Sequence, residues 1–302
     1  MMKQLLIWFL TCMTTTILLV GCTTEGKQTK ESKQTQEQTQ EDNYRIVSTT
    51  VAITEVLDAL EINIVGKPTS YKTLPERYDN VEEIGNPKKP DMEIVRSLDP
   101  THLLSVTTIE DMVEPVLEGS EIEGTYLDFS SIEGMQDSIL QLGETFNREQ
   151  QATKLFARYD KKKAEIQTLI KDEKSPKVLI LMGVPGSYLV ATEHSYIGDL
   201  VKLAGGTNVI QGDEREYLAS NTEYLHRVKP DVILRAPHGF PEQVKEMFNK
   251  EFKENDIWKH FKAVQNDRVY DLEEKIFGIT AGIRADEALD ELVNMLYPNL
   301  NE

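Results

Sequence analysis

A weak internal echo constrains the fold of this chain most. Residues 93–104 read EIVRSLDPTHLL and residues 223–234 read EYLHRVKPDVIL. Both run Glu, a short helical turn, an apolar residue, a charged residue, Pro, then a hydrophobic run. A proline cannot continue the helix and biases the residue before it toward extended backbone, so each copy predicts a helix end followed by a strand. A second element agrees. Val51 to Leu60 is amphipathic and leads to Ile62-Asn63-Ile64-Val65-Gly66; Tyr196 to Ala204 is amphipathic and ends at Gly205-Gly206. Two similar α/β halves are the simplest architecture with this pattern.

The chain of 302 residues is long enough for two such halves. Lys177-Val178-Leu179-Ile180-Leu181-Met182 is a continuous apolar run, as expected of a strand covered on both faces. Further strands are expected at Ile46–Ser48, Leu103–Val106, Val232–Leu234 and Arg268–Asp271. Between the halves, Met135 to Asp172 carries apolar residues at helical spacing among strong helix formers. A single helix there would be about 57 Å long at ~1.5 Å per residue; the other reading is two helices joined at Gly143 or Asn147.

The N-terminus is of another kind. Lys3 precedes a mostly apolar stretch, Leu5 to Val20, which ends in Gly21-Cys22. The stretch is short and is followed at once by polar chain, which favours a secretion signal over a membrane span. A small residue directly before a cysteine resembles a bacterial lipobox, implying a signal peptide at 1–21, cleavage before Cys22 and lipidation of its sulfur. Residues 23–42 carry no apolar side chain, so 22–43 reads as a lipid-anchored flexible tether. The two cysteines, Cys12 and Cys22, both lie in this leader. The remaining body therefore has no disulfide, thiolate metal site or cysteine nucleophile. A net charge of -18 argues against a nucleic-acid partner.

No nucleophile elbow, phosphate loop or dinucleotide fingerprint is present, and no HxH or HxxxH pair signals a zinc site. A secreted hydrolase is disfavoured on these grounds. Of the five histidines, His102, His194, His226 and His260 read as structural or solvated. His238 differs: it follows the strand Val232-Ile233-Leu234-Arg235 inside Ala236-Pro237-His238-Gly239-Phe240-Pro241. Clefts of open α/β sheets form beyond the carboxyl ends of strands, where such a loop can project an imidazole. Glu93 and Glu223 are equivalent positions of the echo. Each reads as a residue near a helix N-terminus or as one of a pair of docking carboxylates, one per half.

These features together resemble the class III substrate-binding proteins of ABC importers, the group serving vitamin B12, siderophores and haem. The stretches RIVSTTVAITEVLD, IVGKPTSYKTLPERY, KVLILMGVPGSYLVAT, SYIGDLVKLAGG, PHGFPEQVKEMFNKEFK, NDIWKHFKAVQNDRVYDLEE and FGITA are similar to haem-binding lipoproteins of that group, over roughly residues 44–295. The resemblance implies an α/β fold of two Rossmann-like lobes joined by one long α-helix, the class III periplasmic-binding-protein fold. The N-terminal lobe would span 44–133, the bridging helix 134–174 and the C-terminal lobe 175–302. It implies no enzyme but a carrier that holds haem between the lobes at the extracellular face of a Gram-positive-type cell membrane. The carrier would pass haem to an ABC permease docked through Glu93 and Glu223, with cell-wall haem-relay proteins upstream. A ferric siderophore or a corrinoid is the alternative cargo.

The resemblance places His238 as an axial iron ligand. The family's other ligand is a Met directly after Pro in an IG-x-P segment, which here reads Ile84-Gly85-Asn86-Pro87-Lys88. The position is Lys88. Met92, four residues on, is the nearest thioether, and the Lys88 amine, water or an open position are the other options. Helix N-termini and polar turns suit propionates, which points to Thr50, Val51, Ser70 and Tyr71. Tyr71 and Phe277 are expected against the porphyrin.

Overall fold

The computed structural model describes residues 44–220, 225 and 227–301. The signal segment, Cys22, the tether, His226 and Glu223 lie outside the described residues.

The first sheet is wholly parallel. β1 (Ile46–Ser48) is its centre, flanked by β2 (Gly66–Lys67) and then β3 (Glu82–Glu83) on one side. On the other side lie β6 (His102–Val106) and β7 (Gly124–Leu127). A small antiparallel hairpin of β4 (Gly85–Asn86) and β5 (Lys89–Pro90) leaves Pro87-Lys88 at its tip. Only Thr49 and Thr50 separate β1 from helix α1 (Val51–Ala59), because Thr50 caps it: the Thr50 hydroxyl accepts the Ile53 N–H at 3.3 Å. Asp91 caps α2 (Met92–Ser97) in the same way, and β6 follows as the echo predicts.

The second sheet is centred on β8 (Lys177–Val184) and β12 (Val232–Pro237), which run parallel from Val232↔Val178 to Pro237↔Gly183. β13 (Val269–Asp271) continues the sheet beyond β12. β9 (Ser187–Ala191) folds back antiparallel on β8, and β11 (Tyr217–Ala219) pairs with β9. Beyond the exposed Lys177, the run at 178–182 is covered on both faces, as its composition predicts. Val178, Ile180 and Met182 join a large apolar cluster that includes Ile46, Leu104 and Leu142. Leu179 and Leu181 face a second cluster around Trp258 and Phe248. This is the two-residue alternation of a strand.

The stretch expected as one helix over 134–174 is two. α4 (Ile132–Thr145) and α5 (Glu149–Leu169) are separated by Phe146-Asn147-Arg148. Asn147 takes a left-handed φ of 56°, and the Arg148 N–H returns to the Gly143 carbonyl at 2.7 Å. The helices then pack antiparallel. Gln136 donates to the Phe156 carbonyl at 3.1 Å and accepts from Lys163 Nζ at 2.7 Å. Gly143 is required at the turn, because a Cβ there would stand 2.4 Å from that of Ala152. The helical periodicity is right, but asparagine reverses the chain where left-handed backbone is cheap for it. α5 alone, about 32 Å long at ~1.5 Å per residue, lies against α9 (Ala285–Leu296) through Arg158–Asp286 and Lys162–Asp290.

Candidate functional site

In both sheets the chain moves one way from the central strand and later returns to its other side. Ligand crevices open at such switch points. In the first sheet that point lies between the ends of β1 and β6, where Thr49-Thr50-Val51 leads into α1. Thr49 and Ser48 are buried, and the Thr49 hydroxyl donates to Ser105 Oγ at 2.9 Å. The N–H groups of Val51 and Ala52 have no carbonyl of the helix to bond. In the second sheet the switch point lies between β8 and β12. His238 directly follows β12, and its N–H donates to the Gly183 carbonyl at 2.8 Å, extending the ladder by one residue. Gly183 is demanded by the helix behind it, α7 (Pro241–Glu254): a Cβ there would meet Val244 and Phe248 side chains at 2.4 and 2.6 Å.

His238 is half-buried. Burial holds its imidazole below the usual histidine range. The nearby Glu274 carboxylate opposes this, while the Lys88 and Lys72 ammonium groups reinforce it. The neutral ring is the form that offers a lone pair to a metal. Gly239 and Phe240 follow, both with positive φ, 74° and 50°, so the chain turns sharply into α7. The Phe240 ring is left 65% exposed.

The two crevices meet at Glu274. One of its carboxylate oxygens accepts the Gly239 N–H at 2.9 Å and the Tyr71 hydroxyl, and Lys72 Nζ approaches the Glu274 carbonyl at 3.5 Å. Tyr71 and Lys72 belong to the turn after β2, where Ser70 Oγ accepts the Lys72 N–H at 2.9 Å. Loss of water around the hydroxyl, which sits on Glu274, and the charge of that carboxylate push the Tyr71 phenol above its usual range although its ring is exposed, so it remains a donor. A cavity of about 710 Å³ beside this contact is lined by residues of both halves, among them Glu55, Tyr71, Arg235, Phe248 and Glu274.

The structure thus brings His238 and Tyr71 to one place, with Lys88 and Lys72 near enough to act on the imidazole. Thr50 and Val51 stand at the α1 N-terminus and Ser70 beside Tyr71. Met92 is the first residue of α2, half-buried against the first sheet's core, whereas Lys88 is exposed at the hairpin tip, its N–H on Asn86 Oδ1 at 2.9 Å. Glu93 is exposed in the first turn of α2. Phe277 corrects the sequence reading: it has no exposed surface and belongs to the core, so its ring has no face to offer a ligand. Phe240 is the exposed ring beside the histidine. Glu274 carries no local signal, because nothing in Asp271-Leu272-Glu273-Glu274 separates the buried glutamate from its exposed neighbour. Among the described residues no cluster of three His, Cys, Asp or Glu could hold a bare metal ion. No described helix is long and apolar enough to cross a membrane.

Two α/β sheets whose crevices meet across a cleft define a two-lobed ligand-binding protein. The chain belongs to the periplasmic binding protein family, whose model matches residues 46–276. It is 57% identical over 268 residues to the high-affinity heme uptake system protein IsdE of Staphylococcus aureus strain Newman, covering 88% of this chain and 92% of that protein. The crystal structure of S. aureus IsdE complexed with heme superposes with a TM-score of 0.81 at 58% identity, over 84% of this chain and 99% of that one. An ABC transporter substrate-binding protein from Listeria monocytogenes EGD-e superposes with a TM-score of 0.80 at 55% identity, over 85% and 99%. The fold is the class III periplasmic-binding-protein fold, and these relatives are carriers of transport systems, not enzymes.

Proposed function

We propose that this protein binds haem in the cleft between its two α/β lobes and delivers it to an ABC permease. The observation that carries this reading is His238, a half-buried histidine whose neutral form burial favours, at the end of β12. It sits in a chain 58% identical to a protein crystallised with heme. Burying roughly 300 Å² of porphyrin at about 25 cal/mol per Å² contributes ~7.5 kcal/mol before association costs. Apolar contact is therefore the main gross term, and the iron bond adds selectivity. The Val51 and Ala52 amides at the α1 N-terminus suit a propionate, and Ser70, Tyr71 and Phe240 line the approach. Haemin titrated into the purified protein is expected to give a saturable one-to-one Soret shift that ferric hydroxamates do not compete away. Absence of a shift would refute the reading.

Lys88 takes the position of the family's second ligand at the exposed tip of the β4–β5 hairpin, while Met92 packs half-buried against the first sheet's core, and our reading is that neither binds the iron. An ammonium has three donors and no lone pair, whereas a thioether always has one. His238 is then the sole protein ligand, and the iron is five-coordinate or takes water. Lys88→Met is expected to turn a high-spin spectrum into a six-coordinate low-spin one, and Met92→Ala to leave it unchanged. A low-spin wild type that loses its band in Met92→Ala would reverse the assignment.

The lipobox at Gly21-Cys22 and the polar segment after it support a lipid-anchored protein at the outer face of the cell membrane. A tether of about 20 residues keeps it near its permease at high effective concentration. Glu93 and Glu223 are the proposed docking carboxylates. Exposed ion pairs contribute only about 0–1 kcal/mol each, so they orient the complex more than they hold it.

A further inference from the structure

Glu274 is the side chain on which both halves of the cleft converge, and it is 8% exposed. A carboxylate is withdrawn from water only where donors replace its hydration. Here two donors share one oxygen: the Gly239 N–H, directly after His238, and the Tyr71 hydroxyl, 203 residues away in sequence. Two further features indicate what the arrangement does. Gly239 and Phe240 are consecutive residues with positive φ. That conformation is costly for phenylalanine and persists only if something outside the turn holds it. The Gly239–Glu274 hydrogen bond is such a hold. Tyr71 in turn is 71% exposed, so its hydroxyl, rather than ring packing, keeps it across the cleft.

We propose that Glu274 is a positioning residue that couples closure of the cleft to presentation of the iron-facing histidine, holding the His238 loop through Gly239 and the opposite lobe through Tyr71. The inference rests on the haem reading and deepens it. The Tyr71 hydroxyl on Glu274 ties the two lobes together across the haem, and the same carboxylate holds, through Gly239, the loop that carries the imidazole. Release requires the Tyr71–Glu274 bond to break first.

The test uses the full mature chain loaded with haemin and challenged with excess apomyoglobin, together with resonance Raman of the ferrous form. Tyr71→Phe is expected to release haemin about tenfold faster, the loss of one hydrogen bond to a charged group, without moving the iron–histidine stretch. Glu274→Gln is expected to speed release and also to shift that stretch, because the loop carrying His238 loosens. In the double variant the two rate effects should not multiply, since both weaken the same Tyr71–Glu274 bond. Tyr71 is exposed, so its variant folds even if Glu274→Gln does not. Release at the wild-type rate in Tyr71→Phe, or an unshifted stretch in a folded Glu274→Gln, overturns the proposal. A wild type that takes up no haemin instead defeats the functional reading on which it stands.

Discussion

His238→Ala is expected to lose the haemin Soret band of the wild type and to weaken binding by more than a hundredfold. Loss of a group that merely orients a metal ligand already costs about 10–100-fold, and here the ligand itself is removed. The protein should still fold. His238 lies beyond the end of β12, and the hydrogen bond it gives to Gly183 comes from its backbone N–H, which alanine retains. Residual haemin should bind weakly through apolar contact, with the broad spectrum of haem lacking a protein ligand. Added imidazole should restore a ligated spectrum if the space vacated by the side chain lies over the iron. Wild-type affinity in His238→Ala would remove this histidine from the site and leave the opposite lobe as the only source of a ligand.

The second large effect is on stability. Asp271→Ala is expected to lower the unfolding free energy by about 3 kcal/mol, the lower end of the cost of breaking a buried ion pair. Arg235 is 8% exposed in the strand that leads to His238. Its guanidinium meets Asp271 through two hydrogen bonds of 2.6 and 2.7 Å, donates to Asn249 Oδ1 at 3.1 Å, and lies 5.6 and 5.2 Å from the Phe248 and Phe252 ring centroids. Without Asp271 a buried cation loses its charge partner. The Asp271 side chain keeps 31% exposure, which is why the lower end applies. At ~2–4 °C per kcal/mol for a protein of this size, the melting temperature should fall by about 6–12 °C. Arg235→Met combined with Asp271→Leu should recover most of the loss, because no unpaired charge remains. A double variant as unstable as Asp271→Ala alone would show that the pair is a net stabiliser and not merely costly to break.

The candidate site was legible in unequal parts. His238 stood out because a strand, a proline and a glycine surround it, and local chain geometry alone sends such a loop to the end of a sheet. Thr50 could be read as a cap for the same reason. Phe277 and Phe240 could not be told apart in the sequence. Both are aromatic and both adjoin glycine, yet one is enclosed by the core and the other is left outside by a left-handed backbone. Met92 and Lys88 were separated by the β4–β5 hairpin, which holds residue 88 at its tip and leaves residue 92 against the first sheet's core. Glu274 had no local signal, because its partners lie 35 and 203 positions away.

The echo, the apolar run at 177–182 and the capping residues determined by themselves that this chain forms two α/β halves with strands where they are found. These are local preferences, set by backbone sterics and by the two-residue and 3.6-residue periods of side-chain direction. The sequence also determined that residues 44–302 hold no cysteine for chemistry. The tertiary structure decided the rest. Asn147 and the close approach of Ala152 to Gly143 folded one expected helix into two. The register of β12 on β8 placed His238 directly beyond the end of β12, with its N–H on the Gly183 carbonyl. Meeting of the two halves made Glu274 the common acceptor for Tyr71 and Gly239. Each of those outcomes depends on contacts between residues far apart in the chain, and no local pattern carries that information.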